Sequence, residues 1–245
     1  MEHSRKWFVG WAIGIVTAIV LFSLAALTMG RYEITLGQIW SVFFPKAGQE
    51  VSGTVENVVL NVRLPRIGLA LLAGAGLSSA GGAFQALFAN PLATPDTLGV
   101  ATGASFGAVL AILFGWPSMA IQTSALAAGL LAVALVYMVS RPKKGGGRAS
   151  VVMIVLAGMV VGSLFSALVS LVKYAADPQD VLPTITFWLM GSLSSTTKET
   201  LVLGAPFILA GMALLFLFRW KLNAMTLSEE EAISLGISVK KIRAV

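Results

Sequence analysis

Residues 63–107 read RLPRIGLALLAGAGLSSAGGAFQALFANPLATPDTLGVATGASFG, and this stretch decides the fold. It predicts two apolar helices, the first over about 64–88 and the second starting near Thr97, joined by a turn at 90–96. Pro91 and Pro95 lie in this turn. Because proline has no N–H to donate, it ends one helix and is tolerated at the start of the next. Two apolar helices of such length fit a lipid bilayer.

Both predicted helices carry small residues at a spacing of four: Gly74, Ser78 and Gly82 on the first, and Gly99, Gly103 and Gly107 on the second. Glycine is unfavourable in a helix in water. In a membrane, however, small residues let two helix backbones approach closely. The pattern therefore indicates helix packing. Spacing alone does not tell whether one of these faces lines a pore instead.

Composition places the chain in a membrane. Of its 245 residues, 57% are hydrophobic and only 11% are charged, whereas soluble domains carry about 25% charged residues. The net charge of +6 is typical of Lys and Arg gathered in cytoplasmic loops, so no nucleic-acid partner is predicted. The chain has no cysteine, and its single histidine is His3. The predicted spans hold no paired acids, so we expect no catalytic, metal-binding or cofactor-binding residue.

The predicted fold is an all-α, polytopic transmembrane helical bundle. Hydropathy predicts six spans, near residues 7–29, 64–88, 97–115, 118–139, 150–172 and 201–218. A short outer helix is predicted at 185–193, and a cytoplasmic polar segment at 221–245. A cleaved signal peptide is the alternative interpretation of the first span.

The distribution of basic residues predicts a cytoplasmic N-terminus, because Lys and Arg are enriched on the cytoplasmic side. With six spans, this orientation places most of the 17 basic residues inside: Arg5, Lys6, Arg141, Lys143, Lys144, Arg148, Arg219, Lys221, Lys240, Lys241 and Arg243.

Three polar residues lie in or beside the second and third spans. Asp96 is placed to be the N-cap of the third span, and Asn90 precedes the proline turn. Gln85 lines a pathway or bridges helices, and the sequence does not separate these two roles.

The segment 221–245 predicts a short helix. Ser228 and Glu231 have the spacing of a capping box, and Gly236 is placed to end the helix. Its apolar residues suit either an ordinary surface helix or docking in the groove of a partner.

The motif RLPR, the small-residue helix and the run QALFANPLATPDTLGVATGA together resemble the signature of FecCD-type permeases. These are membrane subunits of ATP-binding-cassette (ABC) importers for ferric siderophores, haem and cobalamin. The resemblance implies an importer type II permease fold in the bacterial cytoplasmic membrane, with residues 1–245 as a partial transmembrane permease domain. It also implies a second permease subunit, identical or different, two ATPase subunits that use the ATP, and an extracytoplasmic substrate-binding protein. We expect an iron-siderophore or related metal chelate as substrate, with haem or cobalamin as alternatives.

The resemblance also implies roles for particular residues. Arg63 and Arg66 match arginines that dock the binding protein; anchoring by snorkelling is the alternative. Residues 187–193 are similar to a short outer helix of the family. The segment 221–245 resembles the loop that couples to the ATPase, with these residues at the contact: Leu227, Ser228, Glu231, Ala232, Leu235 and Gly236.

The chain departs from the family pattern at its end. Members usually have about ten spans, whereas this sequence stops just after the coupling loop. We therefore expect either a fragment or a truncated gene product, and a non-transporting membrane fragment is the second alternative for its function.

Overall fold

The computed structural model describes residues 2–45, 52–140, 151–227, 229–234 and 236, and all regular structure in these ranges is helical. The α-helices are α1 Glu2–Thr28, α2 Leu36–Phe43, α3 Gly53–Asn57, α4 Leu64–Phe88, α5 Val100–Leu113, α6 Ser118–Val139, α7 Val151–Ala175, α8 Val181–Met190, α9 Lys198–Ala224 and α10 Glu229–Ser234. A π-helical turn, Val58–Arg63, joins α3 to α4, and a 3-10 turn, Pro95–Leu98, precedes α5.

In the described part of the chain, five helical segments are long and apolar enough to cross a membrane: Lys6–Thr28, Gly53–Phe88, Ser118–Val139, Val152–Ala175 and Lys198–Ala224. Helix α5 has 14 residues. At 1.5 Å per residue it is about 21 Å long, which is shorter than the hydrocarbon core of about 30 Å. Helix α9 extends beyond the predicted 201–218 because its end turns contain charged residues, which a hydropathy pattern excludes.

The start of α5 differs from the prediction. Asp96 was expected to cap a helix from Thr97, but it lies inside the 3-10 turn, and α5 begins at Val100. Gly99 separates the two with a left-handed φ of 66°, which only glycine adopts without strain. The turn is closed by the Thr94 N–H, which donates to Thr97 Oγ1 at 3.2 Å.

Helix α8 begins four residues before the predicted position 185. Asp177 stabilises the turn before α8, because its Oδ1 accepts hydrogen bonds from the N–H groups of Gln179 (2.8 Å) and Asp180 (3.1 Å). Gly191, with φ 74°, follows the last helical residue.

The chain divides into two compact units. The first contains the chain up to Ala73 together with Leu193–Phe207. Its core is an aliphatic cluster from α1, α2, α3 and the segments that join them: Leu27, Ile34, Ile39, Val55 and Val59.

The second unit contains Gly74–Ser192 and the chain from Ile208 onward. It is centred on α5, which packs against α6, α7 and α8. One cluster joins α5 to α7 and α8 through Val109, Val172 and Ile185. A second joins α6 to α7 through Val136, Val161 and Phe165. The short helix α5 is thus surrounded by α6, α7 and α8, which explains why its small residues are buried.

Candidate functional site

Arg63 is a buried residue of the first unit, only 7% exposed. Its guanidinium donates through Nη1 to the carbonyl of Leu27 in the last turn of α1, and through Nη2 to the carbonyl of Tyr32. A side chain at position 30 would meet this group, because a Cβ on Gly30 would lie 2.8 Å from Arg63 Nη2. Arg63 therefore binds the end of α1 to the start of α4. Such burial supports neither docking of another protein at Arg63 nor snorkelling to the lipid surface.

Arg66, one turn later, holds a different segment of the same unit. Its Nε donates to the carbonyl of Leu193 at 3.0 Å, and its Nη2 donates to that of Ser194 at 2.8 Å. The side chain is half-buried. Since the residue is only half-buried, a docking role for Arg66 remains a prediction.

The sequence did not reveal these internal contacts. Each arginine donates to main-chain carbonyls, which every residue possesses, and the partners are distant in sequence. The one sequence feature related to these contacts was the glycine at position 30, because the chain passes close to Arg63 there.

The small residues of α5 are packing residues. Gly103 and Gly107 are buried against α6. A Cβ on Gly103 would lie 2.7 Å from the Ala132 Cβ, and one on Gly107 would run into the carbonyl of Ser124. The Ser124 hydroxyl also donates to the Gly107 carbonyl at 2.8 Å. The close approach that the spacing predicts therefore occurs between α5 and α6, which leaves these glycines no open space to line a pathway.

The turn before α5 packs equally closely on α7. A Cβ on Gly99 would lie 2.9 Å from the Gly162 Cα, and one on Gly158 would meet the Thr97 carbonyl. Residues 95–99 thus pack against Gly158 and Gly162 of α7, and this contact fixes where α5 starts.

The corresponding residues of α4 have open surroundings. Gly74, Ser78, Gly82 and Gln85 are all exposed, and a Cβ on either glycine would meet nothing within 4 Å. This stripe therefore remains a candidate for a further helix contact or for a pathway wall. Asn90 has a local role, because its Oδ1 accepts from the Leu92 N–H at 2.9 Å and shapes the turn after α4.

A groove of about 620 Å³ lies between α4 and α9 in the second unit. Gly82 and Ala86 of α4 line one side, and Met212 and Phe216 of α9 the other. Arg219 lines its polar end; its guanidinium lies 4.0 Å from the Phe216 ring centroid and donates to the Phe216 carbonyl at 2.9 Å. The groove is apolar along most of its length, as expected for a surface that contacts lipid or another helix.

The predicted coupling residues fall on and beside α10. Leu227 is 45% exposed and Glu231 is exposed. Gly236 has a φ of 76°, the conformation expected of a glycine that ends a helix. Ala232 lies within α10. Ser228 and Leu235 lie outside the described residues, so the predicted capping box and the apolar contact at Leu235 stay predictions.

The described residues contain no group of three or more His, Cys, Asp or Glu side chains that could hold a metal ion. Long apolar helices, close glycine contacts and few charged groups define the class of this protein as a multi-pass helical membrane protein. Residues 16–245 match the FecCD transport family, and the chain belongs to that family. The resemblance seen in the RLPR and NPLATPDTLG motifs is confirmed.

Similar proteins cover nearly the whole chain. The molybdate import system permease protein of Haemophilus influenzae is 39% identical over 94% of this chain and 68% of its own length. The ferric enterobactin transport system permease protein of Escherichia coli is 34% identical over 95% of this chain and 68% of its own. A structure described as an inward-facing conformation of a metal-chelate type ABC transporter has a TM-score of 0.80 and 35% identity, covering 94% of this chain and 69% of its own.

The chain is thus a permease subunit of an ABC importer, with several membrane-crossing helices, and it belongs in the bacterial inner membrane. Permeases of this class work with ATPase subunits and substrate-binding proteins. The expectation of an iron-siderophore substrate is not confirmed, because the relatives named above include one for molybdate and one for a ferric siderophore.

Proposed function

We propose that this permease imports a metal-containing anion, with molybdate as the first candidate and an anionic iron chelate as the second. The relative named for molybdate shares the higher identity of the two permeases compared, which favours the oxyanion. The iron chelate is kept because the relative named for ferric enterobactin matches the same part of the chain.

The observation that carries this proposal is the absence of acidic residues from the spans. The sequence has no Asp or Glu in 57–95, 97–176 or 200–228, and these ranges contain most of α4 to α7 and of α9. A fixed carboxylate in the low dielectric of a membrane protein would repel a passing anion strongly. Spans without such groups contain no carboxylate that would repel the anion.

Hydroxyl groups offer a way to solvate the anion. Ser163, Ser166 and Ser170 are exposed on α7, whose other residues before Lys173 are apolar. The Ser170 hydroxyl donates to the Ser166 carbonyl at 3.0 Å, and it can turn to donate to an anion instead. We propose that this side of α7 faces the substrate, which would pass between two permease subunits.

The proposed assembly has a second permease subunit, identical or different, two ATPase subunits in the cytoplasm and a binding protein outside. ATP would be hydrolysed in the ATPases, so this chain would perform no covalent chemistry and hold no cofactor. The coupling segment around α10 would then meet the ATPase, with the N-terminus also in the cytoplasm. The excess of Lys and Arg in the predicted cytoplasmic loops supports this orientation.

Uptake into proteoliposomes tests the proposed function. The permease is reconstituted with the ATPase and binding protein encoded beside its gene, and ATP-dependent uptake of labelled molybdate is compared with that of a ferric siderophore and of haem. Molybdate uptake would support the first candidate, and siderophore uptake the second. Uptake of haem alone would contradict both molybdate and a ferric siderophore as the substrate. No uptake of any of them would favour a non-transporting fragment.

Arg66 provides a test of the docking role. Arg66→Glu should weaken binding of the binding protein several-fold, because a partly exposed charge pair contributes a modest free energy. Affinity is measured on reconstituted permease at two salt concentrations. Arg66→Gln is the matched control, since it keeps donors for the carbonyls of Leu193 and Ser194 but carries no charge. Equal affinity of Arg66→Glu and wild type would leave Arg66 a purely internal contact.

A further inference from the structure

Helix α9, Lys198–Ala224, contains a proline in its interior, Pro206. Because proline has no N–H to donate, the carbonyl of Val202, one turn earlier, loses its helical partner, and the proline ring crowds that turn. We propose that Pro206 is a hinge. Residues 208–224, here called the inner arm, swing about it and carry α10 with them.

Packing within the described chain does not account for the glycines on either side of Pro206. A Cβ on Gly204 or on Gly211 would meet nothing within 4 Å, so neither glycine makes room for a neighbouring helix there. Glycine and proline are the two weakest helix formers, and sharp bends in long helices occur mostly at proline. The stretch 204–211 is therefore the part of α9 that bends most easily.

The hinge coincides with a close contact between α9 and α4. Ile208 follows Pro206 by two residues and packs against α4, where a Cβ on Gly76 would lie 3.0 Å from the Ile208 Cγ2. Beyond this contact the two helices line the groove described above, with Gly82 of α4 on one side and Met212 of α9 on the other. The inner arm therefore has space toward α4 into which it can move.

The two cationic side chains of the inner arm interact with the arm itself. The Arg219 guanidinium donates to the Phe216 carbonyl at 2.9 Å and lies 4.0 Å from the centroid of the Phe216 ring. The Lys221 ammonium lies 5.1 Å from the Phe218 ring centroid. These interactions move with the arm, so they do not hold it in one position.

Hydrogen bonds tie the segment after α9 to the last turns of the inner arm. The Met225 N–H donates to the Lys221 carbonyl at 3.1 Å, and the Thr226 hydroxyl donates to the Asn223 carbonyl at 2.7 Å. Helix α10 begins a few residues later, at Glu229. Because this link is short and bonded to the arm, a displacement of the arm is passed on to α10.

The length of the inner arm amplifies a small change in bend. At 1.5 Å per residue the arm is about 25 Å long, so a change of about 20° at the hinge would move its end by about 9 Å. The width of the groove between α4 and α9 and the position of α10 would then change together.

Distances between spin labels test the hinge. Because the chain has no cysteine, pairs of introduced cysteines can be labelled in the intact chain, reconstituted in phosphatidylcholine vesicles. The inner pair replaces the exposed residues Leu77 and Leu217, and the α10 pair replaces Leu77 and Ile233. We expect both distance distributions to be several ångströms narrower in Pro206→Ala than in wild type, because alanine restores the hydrogen bond to the Val202 carbonyl and favours the helix.

Two controls separate a hinge from general looseness of the helices. The outer pair replaces Leu71 of α4 and Val202 of α9, both exposed. These positions precede the contact of Gly76 with Ile208, and their distance distribution should be narrow in every variant. Pro183→Ala is the matched substitution, since Pro183 lies in the first turn of α8, where the missing N–H is tolerated. It should leave the inner pair as broad as in wild type.

Each remaining outcome would overturn a part of the inference. Equal widths of the inner pair in wild type and Pro206→Ala would exclude the hinge, as would an outer pair as broad as the inner pair or a narrowing caused by Pro183→Ala. Narrowing of the inner pair without the α10 pair would exclude the link between the inner arm and α10. The measurement needs neither substrate nor ATPase, so it is independent of the proposed import activity.

Discussion

The small residues of α4 and those of α5 follow the same spacing, yet their surroundings are opposite. Gly103 and Gly107 of α5 have no room for a Cβ, whereas Gly74 and Gly82 of α4 have nothing within 4 Å. The difference lies in the partner. Helix α6 places small side chains, Ala132 among them, opposite the glycines of α5. On α4, in contrast, Gly82 lines an open groove next to α9. A stripe of small residues thus permits close packing, but a second helix of matching shape has to be present for that packing to form.

Phe165→Ala, next to the packed glycines of α5, should cause the largest loss in the free energy of unfolding. Phe165 is 3% exposed and lies 5.7 Å, between ring centroids, from Phe106, where α7 packs on α5. Its loss would leave a cavity and should lower the free energy of unfolding by about 3 kcal/mol, the low end for such substitutions, because lipid also solvates the unfolded helices. Thermal unfolding in detergent measures this change. Phe216→Ala, at a residue 64% exposed on α9, is the control and should have little effect.

Gly107→Ala should have the next largest effect. The added Cβ would meet the Ser124 carbonyl and lie 2.6 Å from the Ala128 Cβ, and main-chain atoms cannot move away without separating α5 from α6. We expect a loss of about 2 kcal/mol, as for other overpacked sites, in the same unfolding measurement. Wild-type stability of this variant would show that α5 and α6 are not in contact as described.

Ser124→Ala removes a single hydrogen bond from the same contact. Because the Ser124 hydroxyl donates to the Gly107 carbonyl at 2.8 Å, its loss should cost about 1 kcal/mol. Combining it with Gly107→Ala should cost less than the sum, since the two residues act on one interface. If the two losses of stability were strictly additive, the hydrogen bond and the close approach of the helices would contribute independently.

Gly82→Ala should have the smallest effect on stability. With nothing near its Cβ, alanine should change the free energy of unfolding by less than about 1 kcal/mol, and in the stabilising direction, because alanine favours a helix more than glycine does. ATP-dependent uptake is measured alongside. A clear loss of stability would break the comparison, since it would reveal a close partner at Gly82 itself.

The sequence predicted the helical class, the family and the two helices of residues 63–107 well, because apolar length and proline turns are local signals. It placed the start of α5 wrongly: Asp96 resembles an N-cap, but the left-handed Gly99 moves the helix start to Val100. The burial of Arg63 was not predictable, since its partners are carbonyls of residues far away in the chain. Nor could spacing separate the packed stripe of α5 from the open stripe of α4.

The order of α5, α6 and α7 along the chain has a consequence for how the protein is made. These three helices are consecutive, so their contacts involve short loops and can form quickly. The contact of Gly76 with Ile208, in contrast, joins α4 to α9 and has to wait until α5 to α8 have been synthesised, at about 5–20 residues per second. The α5–α6–α7 cluster can therefore pack during insertion, before α9 leaves the ribosome. A substitution at Gly107 would act at this early stage, and its first visible effect would be a lower yield of inserted protein.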